Sequence, residues 1–189
     1  EDYPLLKKNE KNANIRVVLV PNTLGADISY TFGYNHVDPV KREIFWDKRF
    51  RQALSLAIDR EEVNETVFFG LAVPRQATVQ STVSFYKPEW GDKHPFARYD
   101  PNRANKLLDE MGLDKRNADG IRLRPDGKPL KLTILFGGGH SALQTAAHEL
   151  TKEYWEAVGL DIEISAVEGN VLNQPAQETY TMDVFARTH

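Results

Sequence analysis

The chain has 189 residues with 24 basic and 27 acidic side chains, so its formal net charge is −3. This length allows one domain with a real core, and 41% hydrophobic with 27% charged residues excludes an intrinsically disordered chain. The near-balance of charge argues against nucleic-acid binding, and no apolar run approaches the roughly 20 residues of a membrane helix. Cysteine is absent, which excludes disulfides and thiolate chemistry and is compatible with a reducing or an oxidising compartment.

Two strands are predicted near the start of the chain. Residues 15–20 are apolar and mostly β-branched, and a Pro-Asn pair follows them, which is typical of a strand that ends in a turn. Residues 28–34 place Ile, Tyr, Phe and Tyr at every second position, which is the period of a strand. The pair Asp38-Pro39 then predicts a boundary between secondary-structure elements.

Two helices and a long irregular segment follow. Residues 47–58 carry apolar side chains at helical spacing. Asp59 followed by Glu62 has the form of a capping box, which predicts a second helix to about residue 68. Residues 74–95 contain three prolines and show no clear period, so we expect an ordered but irregular excursion.

The next segment is predicted to be a helix and a small hairpin. Asp100 and Pro101 have the form of a helix N-cap and first helical residue, and Gly112 is placed to end that helix. Asp-Gly turns at 119–120 and 126–127 indicate a hairpin whose second strand covers residues 130–136.

The last third alternates helix and strand. We predict a helix at 141–158, a strand at 160–167, a helix at 168–179 and a final strand ending near residue 187. The buried face predicted for the helix at 141–158 consists of Leu143, Ala146, Ala147, Leu150, Tyr154 and Val158. Interleaved strands and helices indicate a single α/β lobe built on a mixed sheet.

The glycine run before residue 141 is the first candidate binding feature. Gly139 and His140 lie between a predicted strand and a predicted helix, where backbone N–H groups can receive an anion. The run lacks the ending of a phosphate loop and the spacing of a dinucleotide fingerprint. We therefore interpret the glycine run either as a flexible turn or as a site for a ligand carboxylate.

The ends of two strands supply the other candidates. Tyr34 and Asn35 follow the strand at 28–34, where polar tips can meet a ligand, although aromatic residues at alternate positions are usually core. Arg187 lies near the end of the final strand and is a candidate for a ligand carboxylate.

Catalytic and metal sites are not indicated. The five histidines lack a metal-binding spacing, and the Asp-Gly turns lack the further carboxylates of a calcium loop. No nucleophile-elbow pattern is present. We interpret Asp59 as a helix cap and Arg60 as a surface residue beside it.

Several motifs, in order, resemble one family of receptors. They are Arg-Phe-Arg-Gln-Ala-Leu at 49–54, Ala-Ile-Asp-Arg at 57–60, Gly-Leu-Ala-Val-Pro at 70–74, and Tyr-Asp-Pro at 99–101 leading to Leu-Leu at 107–108 and Gly112. This order resembles the family 5 extracellular solute-binding proteins, the peptide-, dipeptide- and nickel-type receptors of bacterial ABC importers. The resemblance runs from about Tyr3 to Phe185. In peptide-binding members an aromatic residue and an Asp follow the final strand, and His189 falls at about the aromatic position.

The resemblance implies a type II periplasmic-binding-protein fold, with residues 1–189 as the C-terminal α/β lobe of a longer two-lobed receptor. It implies capture of an oligopeptide or dipeptide between two lobes without catalysis or a cofactor, and delivery to an ABC permease in the inner membrane. The expected location is the periplasm, or the outside of a Gram-positive cell on a lipid anchor. The alternatives are a receptor for nickel complexes, opines or oligosaccharides, or a sensor or chaperone module without transport. Candidate ligand-binding residues are Tyr34, Asn35, Gly139, His140 and Arg187.

Overall fold

A four-stranded mixed sheet forms the centre of the protein in the computed structural model, which describes residues 2–20, 24–139, 141–168 and 179–187. The strands are β1 (Ser29–Phe32), β2 (Lys131–Gly137), β3 (Asp161–Val167) and β4 (Val184–Arg187). Their order across the sheet is β1-β4-β2-β3. Strand β2 is parallel to both β3 and β4, whereas β1 is antiparallel to β4. The prediction of an α/β lobe on a mixed sheet is therefore confirmed.

Six α-helices accompany the sheet within the described residues. They are α1 (Tyr3–Asn9), α2 (Pro39–Trp46), α3 (Lys48–Ala57), α4 (Arg60–Thr66), α5 (Pro101–Glu110) and α6 (Ala142–Ala157). A short 3-10 helix covers Pro88–Trp90 within the irregular segment predicted at 74–95.

The core lies between one face of the sheet and helices α3 and α6. Alternate residues of β2 are buried, because side chains along a strand point to opposite faces. Trp155 of α6 is 1% exposed, and its Nε1 donates to the Leu54 carbonyl oxygen of α3 at 3.1 Å. The Tyr30 ring of β1 packs edge-on against Trp155 with centroids 5.1 Å apart. These contacts join sheet and helices into one core.

Short-range signals predicted most helix ends correctly. Asp47, Asp59 and Asp100 each accept a backbone N–H hydrogen bond at the start of α3, α4 and α5. Ser141 and Gln144 form a capping box at the start of α6. The backbone turns out of helix at Gly112 (φ 87°) and Gly159 (φ 95°), a left-handed conformation that glycine adopts without steric cost.

One prediction in the first part of the chain is wrong, and α2 was not predicted. Residues 15–20 have no regular secondary structure, and Val18 and Val20 are 61% and 79% exposed, because a β-prone run forms a strand only beside a partner strand. The boundary predicted at Asp38-Pro39 is the start of α2, where Asp38 accepts hydrogen bonds from the N–H groups of Val40 and Lys41, although the helix itself was not predicted. An Asp cap followed by Pro at the first helical position begins a helix here just as it does at α5.

The buried face of α6 differs in part from the prediction. Ala147 and Val158 are buried as predicted, and the helix also buries His148, Thr151 and Trp155, whereas Ala146 is exposed. The Tyr30 hydroxyl lies 3.0 Å from His148 Nδ1 and donates to Thr151 Oγ1 at 2.9 Å. Because this hydroxyl pairs with them inside the core, polar side chains occupy the buried face.

The hairpin region is stabilised by side chains as well as by backbone pairing. It contains two isolated antiparallel bridges, Arg116 with Arg122 and Leu123 with Pro129. The Arg122 side chain is 1% exposed and donates to Asp109 Oδ1 at 2.6 Å, Asn105 Oδ1 at 2.7 Å and the Val158 carbonyl oxygen at 2.7 Å.

The helix predicted at 168–179 lies almost entirely outside the described residues.

Candidate functional site at the carboxyl edge of the sheet

The parallel strands end together at one edge of the sheet. Residues 137, 167 and 187 are the last residues of β2, β3 and β4, and β1, which is antiparallel, begins there because Ser29 pairs with Arg187. We call this end of the sheet, defined by residues 29, 137, 167 and 187, the carboxyl edge. In open α/β sheets, ligands bind outside the carboxyl ends of the strands.

The candidate residues from the sequence divide between two ends of the sheet. Gly139 follows β2 and Arg187 ends β4, so both lie at the carboxyl edge. Tyr34 and Asn35 follow Phe32, which pairs with Val184 at the opposite end of β4. The length of β1 alone separates the two groups by about 10 Å. His140 lies outside the described residues.

Arg187 is available to a ligand. Its side chain is exposed, and the guanidinium carbon lies 4.8 Å from the centroid of the Phe185 ring on the same face of β4. In the described part of the chain, no carboxylate lies within 4.0 Å of its nitrogen atoms. An arginine placed on an aromatic ring keeps N–H donors for a bidentate contact with a carboxylate.

The glycine turn between β2 and α6 approaches the neighbouring strand. The Gly138 N–H donates to the Val167 carbonyl oxygen at 2.8 Å, and a Cβ at Gly139 would meet no atom within 4 Å. At the start of α6, the N–H groups of Ser141 and Gln144 are already paired within the capping box, at 2.9 and 3.2 Å. The open space at Gly139 is therefore a better place for a ligand than the start of α6, where these N–H groups are already paired.

Two residues that the sequence patterns did not indicate contact the segment that leads into β1. The Arg75 guanidinium donates to the Gly25 carbonyl oxygen at 3.1 Å, and Gln80 Nε2 donates to the Leu24 carbonyl oxygen at 3.3 Å. Both acceptors lie just before β1. These contacts join residues 50 and 56 positions apart, so no local pattern could have found them.

Tyr34 belongs to a structural cluster at the opposite end of the sheet. Trp46 Nε1 donates to the Tyr34 carbonyl oxygen at 2.9 Å, and the guanidinium carbon of Arg51 lies 5.3 Å from the Tyr34 ring centroid. Tyr34 is 43% exposed, but its contacts anchor the β1–α2 turn.

A buried carboxylate lies under that turn. Asp183 is 5% exposed and accepts from Lys41 Nζ at 2.7 Å and from the Thr133 N–H at 3.0 Å. His36 Nε2 lies 3.1 Å from Asp183 Oδ1, and His36 Nδ1 accepts from the Asp38 N–H at 2.9 Å. Since Nδ1 accepts, Nε2 carries the proton and donates to the carboxylate.

Arg60 is a structural residue, and its predicted place on the surface is wrong. Its guanidinium donates to the carbonyl oxygens of Ser55 at 2.8 Å and Ala97 at 3.2 Å, and to Ser55 Oγ at 2.9 Å. Burial lowers the pKa of Arg60 to about 10. Asp59 beside it caps α4 as predicted.

Two further findings apply to the described residues alone. No group of three or more His, Asp or Glu side chains is arranged there to hold a metal ion. None of the helices found there has the length and apolar character needed to cross a membrane.

The fold is that of the periplasmic binding proteins. A solved structure of the oligopeptide-binding protein OppA matches 99% of this chain with a TM-score of 0.86 and 41% sequence identity, and the match covers 29% of the OppA chain. The predicted fold class is thereby confirmed.

The family model for bacterial extracellular solute-binding proteins, family 5, matches residues 2–188. The chain therefore belongs to this family, as its motifs predicted. It is similar to the oligopeptide-binding protein AppA of Bacillus subtilis (strain 168), with 30% identity over 88% of this chain and 28% of AppA. It is also similar to a probable ABC transporter-binding protein of Deinococcus radiodurans, with 28% identity over 87% of this chain and 27% of that protein.

These relatives are named as binding proteins and not as enzymes. The chain spans less than a third of the length of each.

Proposed function

We propose that residues 1–189 form one lobe, the C-terminal one, of a substrate-binding protein that serves a bacterial ABC importer, and that this lobe binds peptide at the carboxyl edge. The observation that carries the proposal is the open position of Arg187 beside the glycine turn, at the edge where α/β sheets bind ligands. The family match and the names of OppA and AppA support the peptide as ligand.

The lobe contributes binding and no chemistry. Arg187 would hold a peptide carboxylate through two parallel N–H···O contacts, and the space at Gly139 would admit the peptide backbone. A ligand that contacts both lobes of such a receptor favours the closed form, because it binds that form more tightly. The closed receptor would then dock on the permease of the importer.

The proposed location follows from the family. An extracellular solute-binding protein works outside the cytoplasmic membrane, so we place this one in the periplasm or on the outer surface of a Gram-positive cell. Its membrane partner there would be an ABC permease.

The test compares two ends of the sheet in the full-length protein. Peptides that co-purify with the protein are identified by native mass spectrometry, and their affinity is then measured by calorimetry for Arg187→Ala and Tyr34→Ala. We expect Arg187→Ala to weaken peptide binding about tenfold or more, because a charge-assisted contact contributes roughly 1.5–3 kcal/mol. Tyr34→Ala, at the opposite end, should leave the affinity within about twofold.

Two results would overturn parts of the proposal. Unchanged affinity in Arg187→Ala would remove the carboxyl edge as the peptide site. Co-purification of a metal chelate or a sugar in place of peptide would leave the proposed receptor function standing but would change the proposed class of ligand.

A further inference from the structure

A crevice of about 340 Å³ lies where the end of α3 meets the start of α5, and it shares no residue with the carboxyl edge. This volume is at the lower end of the range for small-molecule sites. Three of its lining side chains are cationic and one is acidic. The lining residues are Leu56, Lys93, Pro95, Arg98, Asp100 and Arg103.

No carboxylate of the described residues lies within 4.0 Å of the side-chain nitrogen atoms of these three cations, although Lys93 interacts electrostatically with the neighbouring Asp92. Neither Lys93 nor Arg98 forms a side-chain hydrogen bond or ion pair there. The Arg103 guanidinium lies over the Phe96 ring, with its carbon 4.8 Å from the centroid. By contrast, Arg49, Arg122 and Arg124 each form an ion pair with a carboxylate, at 2.6, 2.6 and 2.8 Å.

The acidic residue of the crevice is engaged by the backbone. Asp100 Oδ1 accepts from the Arg103 N–H at 2.9 Å and so caps α5. Its charge opposes an incoming anion, but three positive charges against one negative charge leave the lining cationic. In a chain whose formal net charge is −3, this is a local concentration of positive charge, and a concave surface focuses such a field.

We propose that this crevice binds a compact anion of the phosphate class. Arg98 and Arg103 would each donate paired N–H groups to phosphate oxygens, since the planar guanidinium matches that geometry. Lys93 would add a point charge. The same chemistry is offered by a soluble phosphate compound and by a phospholipid headgroup.

The test uses the full-length protein with inorganic pyrophosphate as the probe, at constant ionic strength. Calorimetry compares the natural protein with the double variant Arg98→Gln/Arg103→Gln. The matched control is Lys106→Gln, which removes one positive charge from the same helix at a residue that is paired with Glu110 at 3.9 Å. We expect the double variant to lose about tenfold or more in affinity and the control to keep it within about twofold.

A second arm identifies the source of the phosphate. Co-sedimentation with phosphatidylglycerol vesicles, against phosphatidylcholine vesicles, is measured for the same proteins. If the natural protein binds the vesicles and the double variant does not, the site is supported with a lipid headgroup as its ligand. If the natural protein binds pyrophosphate but not the vesicles, the site is supported with a soluble anion as its ligand. Absence of both, or an equal loss in Lys106→Gln, overturns the proposal, and neither result bears on peptide binding at Arg187.

Discussion

Gly33, directly after β1, lies against the backbone of residues 182 and 183. Its N–H donates to the Asp183 carbonyl oxygen at 3.0 Å. A Cβ at this position would lie 1.9 Å from the Met182 carbonyl oxygen, which is backbone and cannot rotate away. The constraint on this glycine is therefore space and not a left-handed backbone.

We expect Gly33→Ala to lower the free energy of unfolding by roughly 1–3 kcal/mol, the usual range for forcing extra atoms into a packed site. Urea denaturation followed by circular dichroism measures this change. Gly139→Ala is the matched control, since a Cβ there meets nothing within 4 Å, and its effect should stay within about 0.5 kcal/mol. Equal stability of Gly33→Ala and the natural protein would show that β1 can move away from residue 182.

Single residues at helix starts were predictable because their partners are close in sequence. An Asp at the N-cap bonds to N–H groups two or three residues ahead, so the sequence carries the whole interaction. Buried side chains such as Arg122 were not predictable in this way. Its acceptors come from two other parts of the chain, Asn105 and Asp109 on α5 and Val158 at the end of α6.

At the scale of elements, the start of α3 combines a cap and an ion pair in one side chain. Asp47 Oδ1 accepts from the Arg49 N–H at 2.8 Å, and Asp47 Oδ2 lies 2.6 Å from Arg49 Nη2. We expect Asp47→Ala to cost about 1 kcal/mol of stability, the usual effect of removing a cap. Asp47→Asn keeps a capping oxygen and should recover most of that loss, as measured by thermal unfolding at pH 7. Equal losses of stability in Asp47→Ala and Asp47→Asn would contradict the capping role of this side chain.

The same pair of variants separates the cap from the charge. The Arg49 side-chain hydrogen bond lowers the pKa of Asp47 below its ordinary value of 3.8. A carboxyl whose pKa is lower in the folded state binds fewer protons there than in the unfolded state. Its stabilising effect is complete above pH 3.8 and is lost as the pH falls through the lowered pKa. Stability measured between pH 7 and pH 2 should fall less steeply in Asp47→Asn than in the natural protein, and parallel curves would contradict the assignment.

Helix α6 shows why the position of an element was easier to predict than its buried face. Its apolar pattern located the helix, because that pattern depends on one segment. Which side turns inward depends on the Tyr30 hydroxyl, which is 118 residues from His148. Two polar side chains of this face, His148 and Thr151, are buried because Tyr30 of β1 supplies the hydrogen bonds that make their burial tolerable.

At the scale of the whole molecule, Asp183 joins three distant parts of the chain. It binds Lys41, which lies 142 residues away, and the Thr133 N–H, which lies 50 residues away. Asp183→Asn should cost roughly 3–5 kcal/mol, because it leaves the largely buried Lys41 ammonium without its counter-charge. Denaturant unfolding measures the loss.

A double variant and a surface control test that explanation. Lys41→Met/Asp183→Asn should cost less than the sum of the two single variants, because the charges act as a pair. Glu163→Gln breaks an exposed ion pair with Lys131 of 3.1 Å and should change stability by less than about 1 kcal/mol. Additive losses at Lys41 and Asp183 would mean that their ion pair does not stabilise the protein.

For the ligand-binding residues too, the sequence showed local properties and the tertiary structure decided their positions. The sequence indicated Tyr34, Asn35, Gly139, His140 and Arg187 because each follows or ends a strand, which is a local property. This local property does not show which of these residues lie together in space. The antiparallel direction of β1 places Tyr34 and Asn35 away from Arg187, and strand direction is set by pairing between distant segments.

The sequence by itself determined the family, the α/β class and the limits of most helices and strands, since motifs, caps and periodicity act over a few residues. The tertiary structure decided the strand order β1-β4-β2-β3, the buried face of α6 and the structural roles of Arg60 and Arg122. It also decided which candidates meet at the carboxyl edge. These features depend on hydrogen bonds and packing between residues far apart in the chain, whose free energies no local pattern records.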